Sequence, residues 1–587
     1  MKGHICCILS EADYLLIDKN KFHKLNLYKK SIIKVLATNK NIRRITLGIV
    51  KTPKNSNLKL TLKEIIFLYE RKICDSIDFL NLFLRGLNLK NKYKISNDVF
   101  ELFNKKIKNC IYLSQDIIGI YSYTNINQGK KNNGYYFDMF VKISGIKIEK
   151  GNILNKYSNL GLLSLENYDL RINRNFPAGL WEIVYGDNSG ITAHLVDKES
   201  DLGTVICISR LKTNSIPRKN RENIYAHIAP TLQIAINKIY LYGGDISKIG
   251  NEYKNIKPNF KKINRRNFFL LRFLISFNAL LKTILFFKTS SLFWKIININ
   301  DRYTRAGRWG IAITKNKNLS FDNWCHLQKP IVGIQPKVDW HADPFLIEID
   351  KYKFVLTEKW IQRESKGIIY CNQILEDDSK LFFSEGNIVL ENSEHLSFPF
   401  CFKRGENFYM IPENGKNGSW LYKLELNIEK NQVLLNAIKL KQLIQGEVKD
   451  PSLVRIDDID YLLASEINDE SSQVLHAFVS KNIVSENIVP HTNSPIIVDH
   501  SLGRAAGRIF FDERLKKYIR PSQIGMQGYG EGIKFSEIIF SLDEIEIIPL
   551  DYEIKIEKNN RIYQKTHHYD QLKGFTAMDY KLQNKIF

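Results

Sequence analysis

The fold of the larger part of this chain is decided by a unit that first appears as DPFLIEIDKYKFVLTE, residues 343–358. It reads as an apolar strand, a turn rich in charged residues and a second apolar strand that ends in Glu358. The unit returns as FPFCFKRGENFYMIPE (398–413) and DPSLVRIDDIDYLLASE (450–466), and more weakly as AGRIFFDERLKKYIRPSQ (506–523). No helical periodicity separates the copies, so this region repeats a β-hairpin at a long, nearly constant period.

Long-period repetition of hairpins is typical of an all-β propeller. Four copies, together with the leader RAGRWGIAIT (305–314), predict a five-bladed β-propeller in which one blade is closed from both ends. We place the propeller at residues 299–560 and treat residues 561–587 as a C-terminal tail.

The repeat also predicts a site, because the start of each innermost propeller strand faces the axial channel. Asp343 and Asp450 hold that repeat position, and Trp360 adds an aromatic face. Aromatic faces beside carboxylates suit the hydroxyl groups of a sugar. The predicted substrate-binding residues are Trp340, His341, Asp343, Glu413, Asp450, Arg520 and Gln523. An alternative is that Asp-Pro merely starts a strand, with the Asp capping a turn.

This arrangement resembles the five-bladed propellers of arabinanases and β-xylosidases. That resemblance implies an Asp as base, a second Asp that tunes a pKa and a Glu as general acid. It therefore offers glycoside hydrolysis by Asp343, Asp450 and Glu413. The amino-acid sequences of the repeats resemble more closely the propeller of plant inositol-phosphoceramide glucosaminyltransferases, over roughly residues 300–550.

The charge of the chain is unevenly placed. Of a net charge of +24, residues 1–300 carry 49 Lys and Arg against 22 Asp and Glu, and residues 301–587 carry 37 against 40. Two different bodies are therefore joined near residue 300. A basic front half suits anionic lipid or phosphorylated substrates, or is only a lysine-rich solvated surface. No zinc-finger or RNA-binding signature appears, and we expect no specific nucleic-acid partner.

The junction, residues 246–298, is predicted to be a basic and then apolar linker helix. Its segment 261–295 is the most apolar of the chain, but its longest uncharged run, Phe273 to Leu281, is nine residues. A spanning helix needs about twenty. Two interpretations stay open: an interfacial helix on an anionic membrane surface, or a helix buried between the two domains.

Residues 1–245 alternate between strand and helix patterns. DMFVKISGIKI, LGLLSLEN, SGITAHLVD and DLGTVICIS read as strands, and NIYAHIAPTLQIAINKIYLY (223–242) has helical spacing. The pattern predicts an α/β domain with an open, mostly parallel sheet and binding loops at the strand carboxyl ends.

The order of these segments, best matched over 138–209, resembles the formyltransferases of the methionyl-tRNA and sugar N-formyltransferase family. That resemblance implies transfer from 10-formyltetrahydrofolate, with an Asn-x-His at the end of one strand and an Asp before x-Gly. The Asp matches Asp201, but this chain has Ser164 and Glu166 at the Asn-x-His positions. An ionised carboxylate accepts but does not donate hydrogen bonds, so the triad is altered. Ser164, Glu166 and Asp201 are the predicted catalytic residues.

The eight cysteines have neither disulfide nor metal-ligand spacing, so we expect buried free thiols, no metal site and a cytoplasmic protein, or one peripheral to the inner membrane face. The favoured function is a formyltransferase-like transferase acting on an amino sugar or sugar-lipid in glycan biosynthesis. Its partner would be a carbohydrate or a nucleotide- or lipid-linked sugar. The rivals are a non-catalytic glycan-binding protein, a glycoside hydrolase and a glycosyltransferase accessory module.

Overall fold

The computed structural model describes residues 3–10, 27–50, 62–84, 97–113, 120–121, 137–142, 158–169, 179–196, 203–249, 268–297, 308–315, 321–328, 339–378, 380–429, 432–466, 473–526, 529–556 and 563–582. The chain divides into two compact units, Met1–Ser291 and Leu292–Phe587. The division falls inside the predicted junction segment 246–298.

The described part of the first unit contains one eight-stranded sheet. Its strands are β1 (His4–Ser10), β2 (Arg44–Val50), β3 (Ile107–Leu113), β4 (Ile120–Tyr121), β5 (Met139–Lys142), β6 (Leu162–Glu166), β7 (Ser189–Val196) and β8 (Thr204–Leu211). Their order is β4-β3-β2-β1-β5-β6-β7-β8. The chain leaves β1 for β2 on one side and later returns to β5 on the other, which creates a topological switch point between β1 and β5.

The helices of the first unit are α1 (Leu27–Thr38), α2 (Leu62–Leu84), α3 (Asn97–Lys106), α4 (Trp181–Tyr185), α5 (Pro217–Ala226), α6 (Ile228–Leu241), α7 (Ile246–Ile249) and α8 (Phe268–Ile297), the last of which runs on past residue 291. The helix predicted from the spacing of residues 223–242 is divided at His227, which lies between α5 and α6. The Nδ1 atom of His227 lies 2.8 Å from the Asn223 carbonyl oxygen.

The prediction of an α/β sheet is confirmed, and the sheet is mixed: four of its seven described strand pairs are parallel and three are antiparallel. The pairs β1–β2, β2–β3, β1–β5 and β5–β6 are parallel, while β3–β4, β6–β7 and β7–β8 are antiparallel. Short connections suffice for the antiparallel pairs, whereas parallel neighbours need crossovers. The resemblance to formyltransferases stays a prediction.

Helix α8 packs on α2 within the first unit. The buried side chains of Leu82, Ile216 and Ala279 form a small apolar cluster there. None of the helices in the described ranges is both long enough and apolar enough to cross a bilayer.

The second unit holds, within its described residues, five antiparallel sheets, and the predicted five-bladed β-propeller is confirmed. Blade 1 contains β9 (Trp309–Thr314), β10 (Cys325–His326), β29 (Tyr563–Lys565), β30 (Tyr569–Leu572) and β31 (Phe575–Leu582). Blade 2 contains β11 (Trp340–Ile349), β12 (Tyr352–Ile361), β13 (Lys366–Asp377), β14 (Lys380–Phe383) and β15 (Asn387–Leu390).

Blade 3 contains β16 (Ser397–Arg404), β17 (Asn407–Glu413), β18 (Ser419–Glu429) and β19 (Gln432–Ile444). Blade 4 contains β20 (Val448–Ile456), β21 (Ile459–Glu466), β22 (Val474–Ser480), β23 (Val489–Pro490) and β24 (Ile497–Val498). Blade 5 contains β25 (Phe510–Asp512), β26 (Lys517–Ile524), β27 (Gly532–Phe540) and β28 (Ile545–Ile554).

Blade 1 corrects the predicted C-terminal boundary. Strand β31 pairs with β9 from Thr576↔Thr314 to Lys581↔Trp309, so residues to 582 belong to the propeller and not to a tail. The segment Tyr563–Leu572 supplies the inner edge of this blade, because β29 and β30 both pair with β31. Closing a blade with strands from both ends leaves no free sheet edge at the seam.

Three blades share the same irregularity at the start of their innermost strands. The pairing register shifts between Ala342 and Phe345, between Ser397 and Phe400, and between Lys449 and Ser452. At each bulge one residue takes a positive φ, namely Asp343 (50°), Phe398 (47°) and Asp450 (50°). Bulges aim a side chain away from the regular alternation of a strand, and Asp343 and Asp450 both line the axial cavity, whereas Phe398 packs in the core.

Candidate functional site

The axial end of the propeller carries a funnel-shaped cavity of about 240 Å³. Four carboxylates, two cations, four large aromatic rings and two histidines are among the residues that line it. The full lining is Trp309, Trp340, Ala342, Asp343, Glu358, Trp360, His395, Ser397, Glu413, Lys449, Asp450, Arg504, Tyr529 and His567. A concave pocket that combines aromatic side chains with a few charged groups is the default candidate for a ligand site.

Asp343 lies at the centre of the hydrogen bonding in the funnel. Its Oδ2 accepts from the backbone N–H of Phe398, at 3.2 Å, which ties blade 2 to blade 3. Its Oδ1 lies 3.3 Å from Nε2 of His567 and 3.5 Å from Nδ1 of His568, both from blade 1. The carboxylate therefore joins three blades.

The two histidines determine the charge of Asp343. Burial alone would raise the pKa of the Asp343 carboxyl, but hydrogen bonds and charge from His567 and His568 hold it well below its ordinary value. His567 also lies 2.7 Å from Oδ2 of Asp579. Burial works to lower the pKa of His567, yet Asp579 and Asp343 together raise it to about 10. At neutral pH, Asp343 is ionised and His567 is an imidazolium.

The pKa of the second carboxyl of blade 2 shifts in the opposite direction. Burial, followed by the charges of Asp343 and Glu413, raises the pKa of Glu358 well above its usual value. Burial also raises the pKa of Glu413, although Lys449 opposes this with its Nζ 2.7 Å from Glu413 Oε1. The funnel thus combines an ionised carboxylate, Asp343, with a carboxyl group, Glu358, whose pKa is shifted upward.

Asp450 is held by a bidentate pair. Nε and Nη2 of Arg504 donate to Oδ2 and Oδ1 of Asp450 at 2.6 and 3.0 Å. Planar guanidinium matches carboxylate geometry, and such pairs are among the stronger hydrogen bonds in proteins. The Asp450 carboxylate is 3% exposed, so Arg504 is its main compensation.

Two stacked tryptophans form an aromatic wall. Trp340 and Trp360 are opposite each other on β11 and β12, with ring centroids 5.4 Å apart and planes at 9°. Across the funnel, the Trp309 ring meets His567 edge-on at 4.3 Å. Flat aromatic faces beside carboxylates match the alternating apolar and hydroxyl surfaces of a sugar ring.

Four of the seven predicted binding residues lie on the funnel wall: Trp340, Asp343, Glu413 and Asp450. Their role in binding stays a prediction. The other three are not among the lining residues, and their predicted placement is corrected. Their side chains are hydrogen-bonded inside the blades instead.

The physical reason differs in each case. His341 Nδ1 lies 2.9 Å from the Thr357 hydroxyl, and burial, with Lys359, lowers its pKa to about 3. Arg520 donates to the carbonyl oxygens of Leu502 and Gly503. Gln523 donates to the Ala505 carbonyl oxygen at 2.8 Å. The two blade 5 side chains thus satisfy the backbone of the 499–505 loop, which no repeat pattern specifies.

Several funnel residues were outside the prediction. Lys449 and Arg504 stand beside or between repeat copies, and Glu358 was identified as a strand end but not as a site residue. His567 lay in the assumed tail. A signal for it exists: YDQL, Lys573-Gly574 and FTAMDYKL form one more strand, turn and strand.

Asp343, His567 and Asp579 offer ligand atoms that lie within 4.8 Å of one another, close enough for a metal ion. Protonated imidazole has no free lone pair for a metal. In the absence of a metal ion, the neighbouring carboxylates raise the pKa of His567 to about 10, so a proton occupies this position at neutral pH.

A second group of polar side chains lies at the carboxyl end of β6 in the first unit. The Ser164 hydroxyl donates to Glu166 Oε1 at 3.2 Å, and His194 Nε2 lies 3.5 Å from the same oxygen. Burial alone would raise the pKa of Glu166, but His194, Lys142 and Ser164 lower it below its ordinary value. Glu166 is therefore an ionised acceptor at neutral pH.

The location of this group is that expected for a ligand site in an open α/β sheet. Lys142 ends β5, Glu166 ends the neighbouring parallel strand β6, and both lie on the carboxyl edge next to the switch point. The structure brings Ser164 and Glu166 together. Asp201, the third predicted catalytic residue, lies outside the described residues.

The fold and funnel define the second unit as a five-bladed propeller with an acidic, aromatic axial pocket. Residues 329–577 match the family described as Glucosamine inositolphosphorylceramide transferase 1, N-terminal. The predicted resemblance of the propeller to plant glucosaminyltransferases is thereby confirmed. The match lies within the second unit, and a formyltransferase-like first unit is not shown by it.

Named relatives agree with this match. Glucosamine inositolphosphorylceramide transferase 1 of Oryza sativa subsp. japonica is 30% identical over 227 residues, which cover 38% of this chain and 29% of the relative. The protein of the same name from Arabidopsis thaliana is 27% identical over 239 residues, 39% of this chain and 30% of the relative. The chain thus matches less than a third of the length of these relatives.

Among solved structures, the GH32 β-fructofuranosidase BmSUC1 of Bombyx mori has 12% sequence identity and a TM-score of 0.31, covering 42% of this chain and 56% of that one. The α-L-arabinofuranosidase PaAbf62A of Podospora anserina has 10% identity and a TM-score of 0.29, covering 48% and 98%.

Proposed function

We propose that this protein is a transferase acting on an amino sugar or a sugar-lipid, and that the propeller funnel binds the sugar. The relatives of the propeller are named for a transferase whose substrates contain glucosamine and an inositol phosphate lipid. A related propeller in this chain supports a related class of ligand, a carbohydrate or lipid-linked sugar.

The funnel is the observation that carries the proposal. It joins a stacked tryptophan pair to four carboxylates, of which Glu413 and Asp450 are each neutralised by a neighbouring cation. Carboxylates fixed in this way accept hydrogen bonds from hydroxyl or ammonium groups without moving. The aromatic wall supplies apolar contact on the other face of the ring.

A sugar-binding titration tests the proposal. Glucosamine and a glucosamine-inositol phosphate conjugate are titrated into the full chain, and binding is followed by calorimetry. Trp360→Ala removes one stacking face and is expected to weaken binding at least tenfold, about 1.4 kcal/mol. Trp420→Ala is the matched control, because the Trp420 ring stacks with Lys439 outside the funnel, and it is expected to stay within about twofold of wild type.

If no tested sugar binds, or if the two tryptophan variants lose equal amounts of affinity, the funnel is not the sugar-binding site. A second candidate, glycoside hydrolysis, is favoured by the opposite pKa shifts of Asp343 (lowered) and Glu358 (raised), which suit a base and an acid. Release of free sugar from an aryl glycoside by the wild type, but not by Glu358→Gln, would choose hydrolysis over transfer.

In its finer form the proposal assigns group transfer to the first unit, with Glu166 as the base that accepts a proton from a substrate amine. The lowered pKa of Glu166 keeps its carboxylate ionised at neutral pH, ready to pair with a substrate ammonium group, but it also makes Glu166 a weak base. The described residues fit the formyl donor poorly, because the Ser164 hydroxyl is engaged by Glu166 and only a free donor stabilises a developing oxyanion. We therefore assign no step to 10-formyltetrahydrofolate.

The formyl version is tested by binding. If it holds, the full chain binds 10-formyltetrahydrofolate with a micromolar dissociation constant, and Glu166→Gln lowers turnover about 100-fold without changing folate affinity. Ser164→Ala serves as the matched control for loss of a hydrogen bond to the same oxygen. If no folate binds, the donor is wrong, and the sugar titration above still decides the funnel. A cytoplasmic location is part of the same proposal.

A further inference from the structure

Helices α2 and α8 meet through polar side chains. Arg272 of α8 forms an ion pair with Asp75 of α2. The Thr283 hydroxyl donates to Asn81 Oδ1 at 2.8 Å. Asp78 of α2 and Ser276 of α8 are also buried. Residue 75 contacts residue 272, and residue 81 contacts residue 283. The residue numbers therefore rise together along the two helices, which run parallel.

The same helices present large apolar side chains outward. The exposed residues of α8 are Leu270, Leu274, Phe277, Leu281 and Leu285, and those of α2 are Tyr69, Ile73, Phe79, Leu80 and Phe83. Phe83 is 71% exposed and Leu270 is 56% exposed. We call these ten residues the outward face.

The spacing makes the α8 part of the outward face a single stripe. Its members follow at intervals of three or four residues, which places them on one side of a helix. Arg272, Ser276 and Thr283 follow the same spacing on the opposite side. The pair is therefore partly inverted relative to a helix of a water-soluble core: these polar residues lie inward beside the buried Leu82 and Ala279, while the large apolar residues face outward.

An inverted helix pair is stable where the surroundings are apolar. In lipid, polar side chains hold helices together, while the apolar side chains meet hydrocarbon. Exposed apolar patches of this kind in a soluble protein mark interaction surfaces. Because the described helices include none able to cross a bilayer, the two would lie in the plane of the membrane.

The charge around the outward face indicates which kind of surface it binds. Lys72 of α2 and Lys282 of α8 are exposed beside it, and residues 1–300 carry 49 basic against 22 acidic side chains. A second copy would bring like charges together, whereas anionic headgroups attract them. We propose that the outward face of α2 and α8 docks onto an anionic lipid surface, with its side chains in the acyl and headgroup boundary. This inference does not depend on the sugar site.

Vesicle flotation of the full chain tests it. The protein is expected to float with vesicles of phosphatidylglycerol and phosphatidylcholine, and much less with phosphatidylcholine alone. Leu274→Glu combined with Leu281→Glu should lower the floating fraction about tenfold. Leu515→Glu with Leu542→Glu, two comparably exposed leucines of the propeller, is the matched control and should float like wild type.

A gentler variant covers the case in which two glutamates disturb folding. Phe277→Trp is expected to show fluorescence quenched by brominated phosphatidylglycerol beyond the quenching of the wild type, and Leu515→Trp is not. Wild-type protein that stays at the bottom with anionic vesicles would overturn the proposal. So would light scattering that shows a dimer which the Leu274→Glu and Leu281→Glu variant converts to monomer, since the face would then pair with a second copy.

Discussion

The molecule has two clusters of carboxylates, one in the funnel and one around Glu166. Their partners lie at very different distances along the chain. In the funnel, Asp343 is held by His567, and Asp450 by Arg504, which stands 54 residues further on. In the first unit, Glu166 is held by Ser164, two residues away, and His194 of the adjacent strand. The funnel is therefore assembled only when blades close on one another, while the Glu166 group needs only one local piece of sheet.

Because of this difference, the partners of the funnel carboxylates should matter both for the stability of the propeller and for its site. In the first unit, the stability of the fold should depend little on the partners of Glu166. A funnel carboxylate that loses its partner is left charged in a buried position between blades, which is costly. Glu166 has more than one neighbour that lowers its pKa, so losing one interaction leaves others. Substitutions in the two sites should consequently differ in their effect on unfolding.

The largest effect is expected when the ion pair between Asp450 and Arg504 in the funnel is broken. Arg504→Met leaves Asp450 buried without its bidentate partner and should lower the free energy of unfolding of the propeller by about 3 kcal/mol. Glu166→Gln, which keeps an oxygen acceptor for Ser164, should cost the first unit less than about 1 kcal/mol.

Urea denaturation measures both. Trp181 is the single tryptophan of residues 1–291, so tryptophan fluorescence reports mainly on the propeller, and far-UV circular dichroism reports on the helices of the first unit. Equal losses in the two variants, or an Arg504→Met protein as stable as wild type, would show that the two sites are held alike.

A smaller effect is expected from pH. An unfolded histidine loses its proton near pH 6.5, whereas folded His567 keeps its proton up to about pH 10. The folded state thus binds more protons in this window, and the stability contributed by His567 is lost as pH rises through about 10. The slope should reach at most about 1.4 kcal/mol per pH unit.

His567→Gln should flatten the decline in propeller stability between pH 7 and pH 10, as measured by urea unfolding at a series of pH values. His326→Gln is the control, because burial lowers the pKa of His326 and keeps it neutral throughout that range. If zinc stabilises the wild type and removes its pH dependence, Asp343, His567 and Asp579 bind a metal ion instead of sharing a proton.

The fold of the second unit could be predicted from the sequence because the patterns that specify it are local. Each hairpin carries its own apolar alternation and turn, so the copies that begin at 343, 398, 450 and 506 identified four blades. The repeat position also placed Asp343 and Asp450 correctly on the axis. Blade 1 was predicted only in part, because its strands β29 and β30 come from residues 563–572, far from β9 along the chain.

The candidate site was less readable. The positive φ at Asp343 and Asp450 re-aims these side chains relative to their neighbours, and His341, two residues before the bulge, packs inside the blade instead. Arg520 and Gln523 were assigned by repeat position, but a loop that lies outside the repeat takes up their hydrogen bonds. Spacing along a strand does not report such contacts.

The sequence by itself determined the two-body organisation, the five blades, the α/β character of the first unit and the axial position of two aspartates. These follow from hydrophobic periodicity and charge, which act over short stretches of chain. Only the tertiary structure decided that the pKa of Asp343 is lowered and that of Glu358 raised, that Arg504 neutralises Asp450, and that α2 and α8 face outward with their apolar sides. Those properties depend on burial and on partners brought close by closure of the fold, and burial and proximity are set in three dimensions.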